Sequence, residues 1–292
     1  MVLAVDVGGT KMAAGLVDAG GTILAEAHVP TPHDDDSETV FASLASSIEK
    51  VLSEGLTLPI ACGVGCGGPM TRGGATVSPL NIPGWRDFPL RSRLESLVQL
   101  PTAVDNDAKA LALGEGWRGA AVGVDDYLAM VVSTGVGGGI VLDGRLLEGA
   151  DGNAGHIGHV NVEPDGRLCA CGARGCLEAE ASGQSIAAMT GRPPAEADDE
   201  VRRRTGTMVG RAVASVANLL DLELAVVAGS VALGFGETFF TAAQAEIDAR
   251  CRLSFSRGTR IVPAGLGADG PLVGAAAVGR RLAVVAGSPA SG

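Results

Sequence analysis

The sequence predicts an α/β protein of two similar domains facing one cleft. Two observations carry this. Short apolar runs alternate with segments of helical periodicity along most of the chain. A strand, glycine turn, strand module at residues 2–25 also returns near residues 127–144, as an internal repeat does. A length of 292 residues leaves room for two domains. With 46 % apolar and 19 % charged residues, a disordered chain is excluded.

Val2–Val7 is an apolar run that ends in Asp6-Val7-Gly8-Gly9-Thr10-Lys11. Ala13–Val17 is a second run, and Asp18-Ala19-Gly20-Gly21 turns into Thr22–Val29, so the opening reads as a β-meander. Val40, Leu44, Ile48, Val51 and Leu52 recur at helical spacing and predict a helix over 37–54. Ile60–Gly65 reads as a buried strand running into Cys66-Gly67-Gly68-Pro69. A helix over 89–97, a strand over 102–104 and a helix over 106–117 follow. Tyr127–Val132 repeats the opening, with Ser133-Thr134-Gly135-Val136-Gly137-Gly138-Gly139, the run Ile140–Leu142 and an Asp143-Gly144 turn. Beyond it come a helix over 208–220 and the strand Leu224–Val227, which ends in Ala228-Gly229-Ser230. A helix over 238–250, a strand over 260–262 and a helix over 271–282 complete the series, and the tail from Ala286 is expected to fray. The first domain is expected to span 1–115, completed by a C-terminal helix over 271–285. The larger second domain spans 116–270.

The net charge is −11 and no Lys/Arg cluster interrupts it, so nucleic acid and anionic membranes are poor partners. The start shows no basic region, long apolar core or cleavage site, and no apolar stretch is long enough to span a bilayer. Of six cysteines, three crowd into residues 169–176, which suits a metal better than a disulfide framework. A cytoplasmic protein is expected.

In Asp6–Lys11, paired glycines bare backbone N–H groups that can surround phosphate oxygens. Thr10 and Lys11 can add donors, and Asp6 can hold Mg²⁺ through water. An ordinary glycine hairpin is the other reading, and the residues alone leave both open. Ser133–Gly139 supplies a second such loop. Neither is a P-loop, and no GxGxxG opens a helix in a βαβ unit. Two glycine loops at matching points of a repeat suggest a nucleoside triphosphate between the domains. Gly229 either lets an adenosine approach the backbone or simply turns a strand into a helix. Asp105-Asn106-Asp107 sits where α/β sheets bind ligands, or it caps the helix that follows. His159, Cys169, Cys171 and Cys176 form His-x9-Cys-x-Cys-x4-Cys with Gly172 and Gly175 in the knuckle, a Cys3His set for structural zinc. Buried free thiols are the alternative. Glu178 follows the last cysteine by two residues, where the knuckle could aim it into the cleft.

The Asp-x-Gly-Gly-Thr-Lys start, Asn106-Asp107, Ser-Thr-Gly-x-Gly-Gly-Gly and the Gly-His…Cys-x-Cys-Gly-x-x-Gly-Cys-x-Glu run together resemble the ROK family of repressors and sugar kinases, from Val2 to about Gly279. The resemblance implies the actin-like, ribonuclease-H-like ATPase fold, two domains around a central cleft, and a homodimer. It implies an ATP-dependent kinase that phosphorylates the 6-hydroxyl of a hexose or N-acylhexosamine, glucose or N-acetylmannosamine, with Mg²⁺ and structural zinc. Asp107 is then the general base. Gly67, Gly68, Asn81, Asn106, His156, His159 and Glu178 resemble sugar contacts, with His159 also a zinc ligand. Asp6, Gly8, Gly9, Thr10, Lys11, Thr134 and Gly135 resemble the phosphate side, and Gly229 an adenosine contact. One departure stands out: many members have Glu-x-Gly-His where this chain has His156-Ile157-Gly158-His159. A carboxylate only accepts hydrogen bonds from a sugar, whereas imidazole donates or accepts. A His-Ile-Gly-His stretch resembles bacterial N-acetylmannosamine kinases, and a glucokinase with His for Glu is the other reading. Family repressors carry a helix-turn-helix ahead of the core. With the core strand starting at Val2, none is expected here, and a non-catalytic sugar sensor is the competing function.

Overall fold

In the computed structural model, which describes residues 1–55 and 57–287, the apolar run at the start forms β1 (Val2–Val7). Its alternate residues go to two different cores, as in a strand covered on both faces. Leu3, Val5 and Val7 pack with Met12, Leu44 and Ile48, while Val2 and Ala4 pack with Leu272, Ala275 and Ala276 of the C-terminal helix Gly270–Gly287. β2 (Lys11–Val17) and β3 (Ile23–Pro30) continue antiparallel from β1, and β4 (Cys62–Cys66) and β5 (Thr102–Asn106) run parallel to it, in the order β3-β2-β1-β4-β5. The helices α1 (Ser37–Leu52), α2 (Leu90–Val98) and α3 (Asp107–Arg118) connect or follow these strands. Asp36 caps α1 by accepting from Glu38 N and Thr39 N, and Val40, Leu44, Ile48 and Val51 of the predicted stripe are buried while Leu52 is half-buried.

The second sheet repeats the plan. β6 (Tyr127–Val132), β7 (Val136–Leu142) and β8 (Arg145–Leu146) form the meander, and β9 (Leu224–Ala228) and β10 (Arg260–Pro263) add in parallel, in the order β10-β9-β6-β7-β8. Helices α4 (Leu177–Ala181), α5 (Gly183–Thr190), α6 (Asp199–Leu220) and α7 (Ser230–Arg250) accompany it. Its core joins Leu128 and Met130 to Val209, Val213, Phe239 and Ile247.

The chain divides into two compact units. One comprises Met1–Arg118, Gly149–Gly152 and the chain from Ala268; the other comprises Gly119–Glu148 and Asn153–Gly267. Several element limits differ from the expectations. β4 starts at Cys62, not Ile60, which is 61 % exposed. Gly137–Gly139 are not loop but strand, paired with Val131, Met130 and Ala129, which leaves Ser133–Gly135 as the turn. α6 begins at Asp199, capped by Asp198 accepting from Val201 N at 3.0 Å. Its polar opening turns hide the helical period. α7 begins at Ser230 and carries a kink at Gly236. α4 and α5 were not anticipated. Ala286 and Gly287, expected to fray, end the last helix, and Ser288–Gly292 lie outside the described residues. Among the described residues no helix is long and apolar enough to cross a membrane.

Candidate active site

Register fixes the first half of the site. Val7 pairs with Cys66 and Cys66 with Asn106, so three parallel strands end together. This is the sheet edge at which α/β proteins bind ligands. It gathers the Gly8–Lys11 loop, Gly67-Gly68 and Asn106-Asp107. A side chain starting at Gly65 would lie 3.8 Å from Asp6 Oδ1 and 3.7 Å from the Asp107 backbone, which places those two acids side by side. Gly9 must be glycine because a Cβ there would sit 2.5 Å from the Cβ of Asn81, so Asn81 joins the same group. Asn106 Nδ2 lies 3.8 Å from the corresponding point at Gly68.

Helix capping and site formation are both present at the Asp-Asn-Asp trio. Asn106 Oδ1 and Asp107 Oδ1 accept from the same Ala108 N–H, at 3.0 and 2.8 Å. Asp107 nevertheless stays exposed. Asp105 is different: it is buried, 3.3 Å from both Lys109 Nζ and an Arg281 nitrogen. Lys109, also buried, donates to the Gly152 carbonyl at 3.1 Å.

Burial pushes the Asp6 carboxyl up to about 7 from 3.8; the Asp107 charge adds to this and the Lys11 ammonium opposes it. The folded state therefore holds this proton more tightly than the unfolded chain. Its contribution to stability is fully present below about pH 4 and is lost as the pH rises through about 7, on the order of 4 kcal/mol. In urea denaturation of the ligand-free protein, Asp6→Asn is expected to flatten the pH dependence across that window. Parallel profiles for the two proteins would rule this out. The same crowding of two carboxylates suits a divalent cation, which would relieve their repulsion.

The two glycine turns share a hydrogen-bonding plan. In the first, the Gly8 carbonyl accepts from Thr31 Oγ1 at 2.7 Å, Thr10 O from Thr31 N at 3.1 Å, and Lys11 O from Gly8 N at 3.1 Å. In the second, Ser133 O accepts from Gly183 N at 2.7 Å, Thr134 O from Gln184 N at 3.2 Å, and Gly135 O from Ser133 N at 3.0 Å. Protein donors thus engage the turn carbonyls. Thr10 and Lys11 in one turn and Thr134 in the other present donor-bearing side chains to solvent. Such a surface suits an anion. Gly229, at φ 101°, passes so close to the Val132 backbone that a side chain would collide with it, so the strand-to-helix turn itself demands glycine.

In the second unit, a ring nitrogen of His159 and the sulfurs of Cys169, Cys171 and Cys176 all lie within 4.8 Å of one another. Cys169 Sγ is 3.8 Å from His159 Nδ1, and the Cys171 and Cys176 sulfurs are 3.7 Å apart. The latter is far too long for a disulfide. A tetrahedron with zinc–sulfur bonds of about 2.3 Å has edges of about 3.8 Å, so the four atoms fit zinc. The His156 ring centroid is 6.2 Å from that of His159, and both rings are exposed. The knuckle is tied down by buried Glu180, which accepts from Arg167 N at 2.6 Å and from the Arg167 and Arg204 guanidiniums. Burial pushes the Glu180 carboxyl up, but these bonds outweigh it and hold it below its usual range. Glu178 Oε2 accepts from Val136 N at 3.0 Å, so one of its oxygens serves the glycine turn.

A profile described as the ROK family matches residues 2–281. The chain belongs to the ROK family. The N-acetylmannosamine kinase of Escherichia fergusonii is 37 % identical over 250 residues, which covers 80 % of this chain and 84 % of that protein. The ROK hexokinase structure from Thermus thermophilus superposes with a TM-score of 0.83 at 35 % identity, covering 98 % of this chain and 99 % of that one. A ROK family glucokinase from Streptomyces griseus, crystallised with glucose and AMPPNP, gives 0.81 at 33 % identity, covering 96 % and 99 %. The fold is the actin-like ATPase fold of these ROK structures.

Within this ROK chain, the first unit brings together Asp6, Gly8, Gly9, Thr10, Lys11, Gly67, Gly68, Asn81, Asn106 and Asp107. The second unit holds Thr134, Gly135, His156, His159, Cys169, Cys171, Cys176, Glu178 and Gly229. Sequence reasoning missed Thr31, Gly183 and Gln184, which contribute through a hydroxyl and backbone N–H groups. The one available signal was the repeat, since a second loop of the same design needs the same carbonyl partners.

Proposed function

We propose that this ROK protein is an ATP-dependent sugar kinase acting on the 6-hydroxyl of a hexose or N-acylhexosamine. The observation that carries the reading is the pair of matched turns whose carbonyls are engaged by the protein, one of them beside the Asp6 and Asp107 carboxylates. Thr10, Lys11, Thr134 and the turn backbones take the phosphates, and the Gly229 turn gives the adenosine a close approach. Asp6 would hold Mg²⁺, which would supply charge neutralisation at the phosphates. Asp107 orients the sugar hydroxyl and takes its proton. The hydroxyl oxygen bonds to the γ-phosphorus, the bond to the bridging oxygen breaks, and ADP leaves. Asn106, Asn81, Gly67 and Gly68 are assigned sugar contacts in the first unit, and His156, His159 and Glu178 in the second. His159 and the three cysteines would hold a structural zinc, since four protein ligands leave no open position. A homodimer is the assembly that goes with this reading.

His156 supports an N-acylhexosamine, because imidazole can donate to an acyl carbonyl and a carboxylate cannot. The test is ADP release from ATP with glucose, N-acetylmannosamine, N-acetylglucosamine, mannose, fructose and allose. N-acetylmannosamine is expected to give the highest kcat/KM. Highest turnover with glucose would place His156 as a substitution without consequence for choice. No turnover with any sugar, alongside measurable sugar binding, would make the protein a sensor.

A further inference from the structure

The Ser133–Gly135 turn rests on a seat made by the two short helices that follow the zinc knuckle. α5 contributes its first backbone donors: Gly183 N and Gln184 N bind the Ser133 and Thr134 carbonyls. These are N–H groups that a helix cannot satisfy internally. α4 contributes one side chain, Glu178, whose Oε2 takes the Val136 N–H at 3.0 Å where the turn re-enters β7. The fit is close, since a Cβ on Gly135 would lie 3.0 Å from that same oxygen. α4 starts directly after Cys176, and Leu177 N bonds Val160 O at 2.9 Å, so the knuckle and the seat form one piece.

We infer that Glu178 is a positioning residue for the phosphate-side turn, in addition to any contact it makes with sugar. The inference rests on the kinase reading in treating that turn as a nucleotide contact. The carboxylate fixes where the turn ends, and with it the direction of the Thr134 and Gly135 groups. One side chain then serves both substrates, and the zinc knuckle bears on nucleotide affinity as well as on sugar affinity.

The test is calorimetric titration of the full chain with Mg²⁺ and a non-hydrolysable ATP analogue, in the absence of sugar. Glu178→Ala removes the acceptor and is expected to weaken nucleotide binding about tenfold or more, the range for a bond to a charged group. Glu178→Gln keeps a carbonyl oxygen at the same reach and is expected to bind within about threefold of the unaltered protein. Gly135→Ala, which drives a methyl against Oε2, is expected to behave like Glu178→Ala and decides the matter if the latter does not fold. Amide exchange over residues 133–139 should speed up in Glu178→Ala and Gly135→Ala and not in Glu178→Gln. Nucleotide binding unchanged in the alanine variants, or equally weakened in Glu178→Gln, overturns the inference. Unaltered protein that binds no nucleotide overturns the kinase reading itself, a separately visible result.

Discussion

Asp107→Asn is expected to lower kcat for sugar phosphorylation by a factor of about 10²–10⁴ while sugar affinity largely survives. Asparagine keeps the shape and an oxygen able to accept from Ala108 N–H, the bond Asp107 makes at 2.8 Å, so α3 keeps its start. What is lost is the ability to take a proton. The substitution also removes one of the two charges crowded at the sheet edge, so the neighbouring Asp6 should lose part of its upward shift. Steady-state kinetics with saturating ATP, together with sugar binding by calorimetry, separates the effects. Near-normal turnover in the variant would remove Asp107 from the role of base. A loss confined to sugar affinity would make it a binding residue.

Cys171→Ser is expected to release the metal and to raise the sugar KM by about tenfold or more. Cys169 and Cys176 are buried and pack with Ala179, whereas Cys171 is exposed, so this ligand can be changed without opening a core. Structural zinc sites contribute on the order of 10 kcal/mol to the segment they organise. The tip of the knuckle is closed by backbone bonds from Cys169 N to Ala173 O and from Gly172 N to Cys169 O, and Glu180 anchors its base through Arg167. Elemental analysis should find about one zinc in the unaltered chain and almost none in the variant, and melting should shift downward. A fully active, metal-free unaltered protein would end the zinc reading. Unchanged sugar kinetics in a metal-free variant would show that the knuckle does not shape the sugar side.

Much of the architecture was legible because its signals are local. The Asp6–Lys11 turn, the repeat at Tyr127–Val132 and the His159–Cys176 spacing each occupy a few consecutive residues. Periodicity placed α1 because its apolar stripe is uninterrupted, and it lost the start of α6 because Asp199–Arg204 carry mostly charge. The triple glycine 137–139 reads as loop by composition, and strand pairing with β6 overrides that preference. Partners distant in sequence stayed hidden. Thr31 under the first turn, Gly183 and Gln184 under the second, and Arg281 beside Asp105 announce themselves by no motif. Glu178 was visible as a residue, but its bond to Val136, 42 positions away, was not.

The helix Gly270–Gly287 packs on β1, made long before it, through Leu272, Ala275 and Ala276 against Val2 and Ala4. The part of this sheet face at Val2 and Ala4 that the helix covers therefore stays open until that helix is made. It waits while Gly119–Glu148 and Asn153–Gly267, whose core includes no residue of the last helix among the described residues, emerge and can close around Leu128 and Phe239. The sheet of β1 is begun before the second unit and finished after it. Any pause or truncation before residue 270 leaves an apolar β-sheet surface open on the ribosome, where holding chaperones would act.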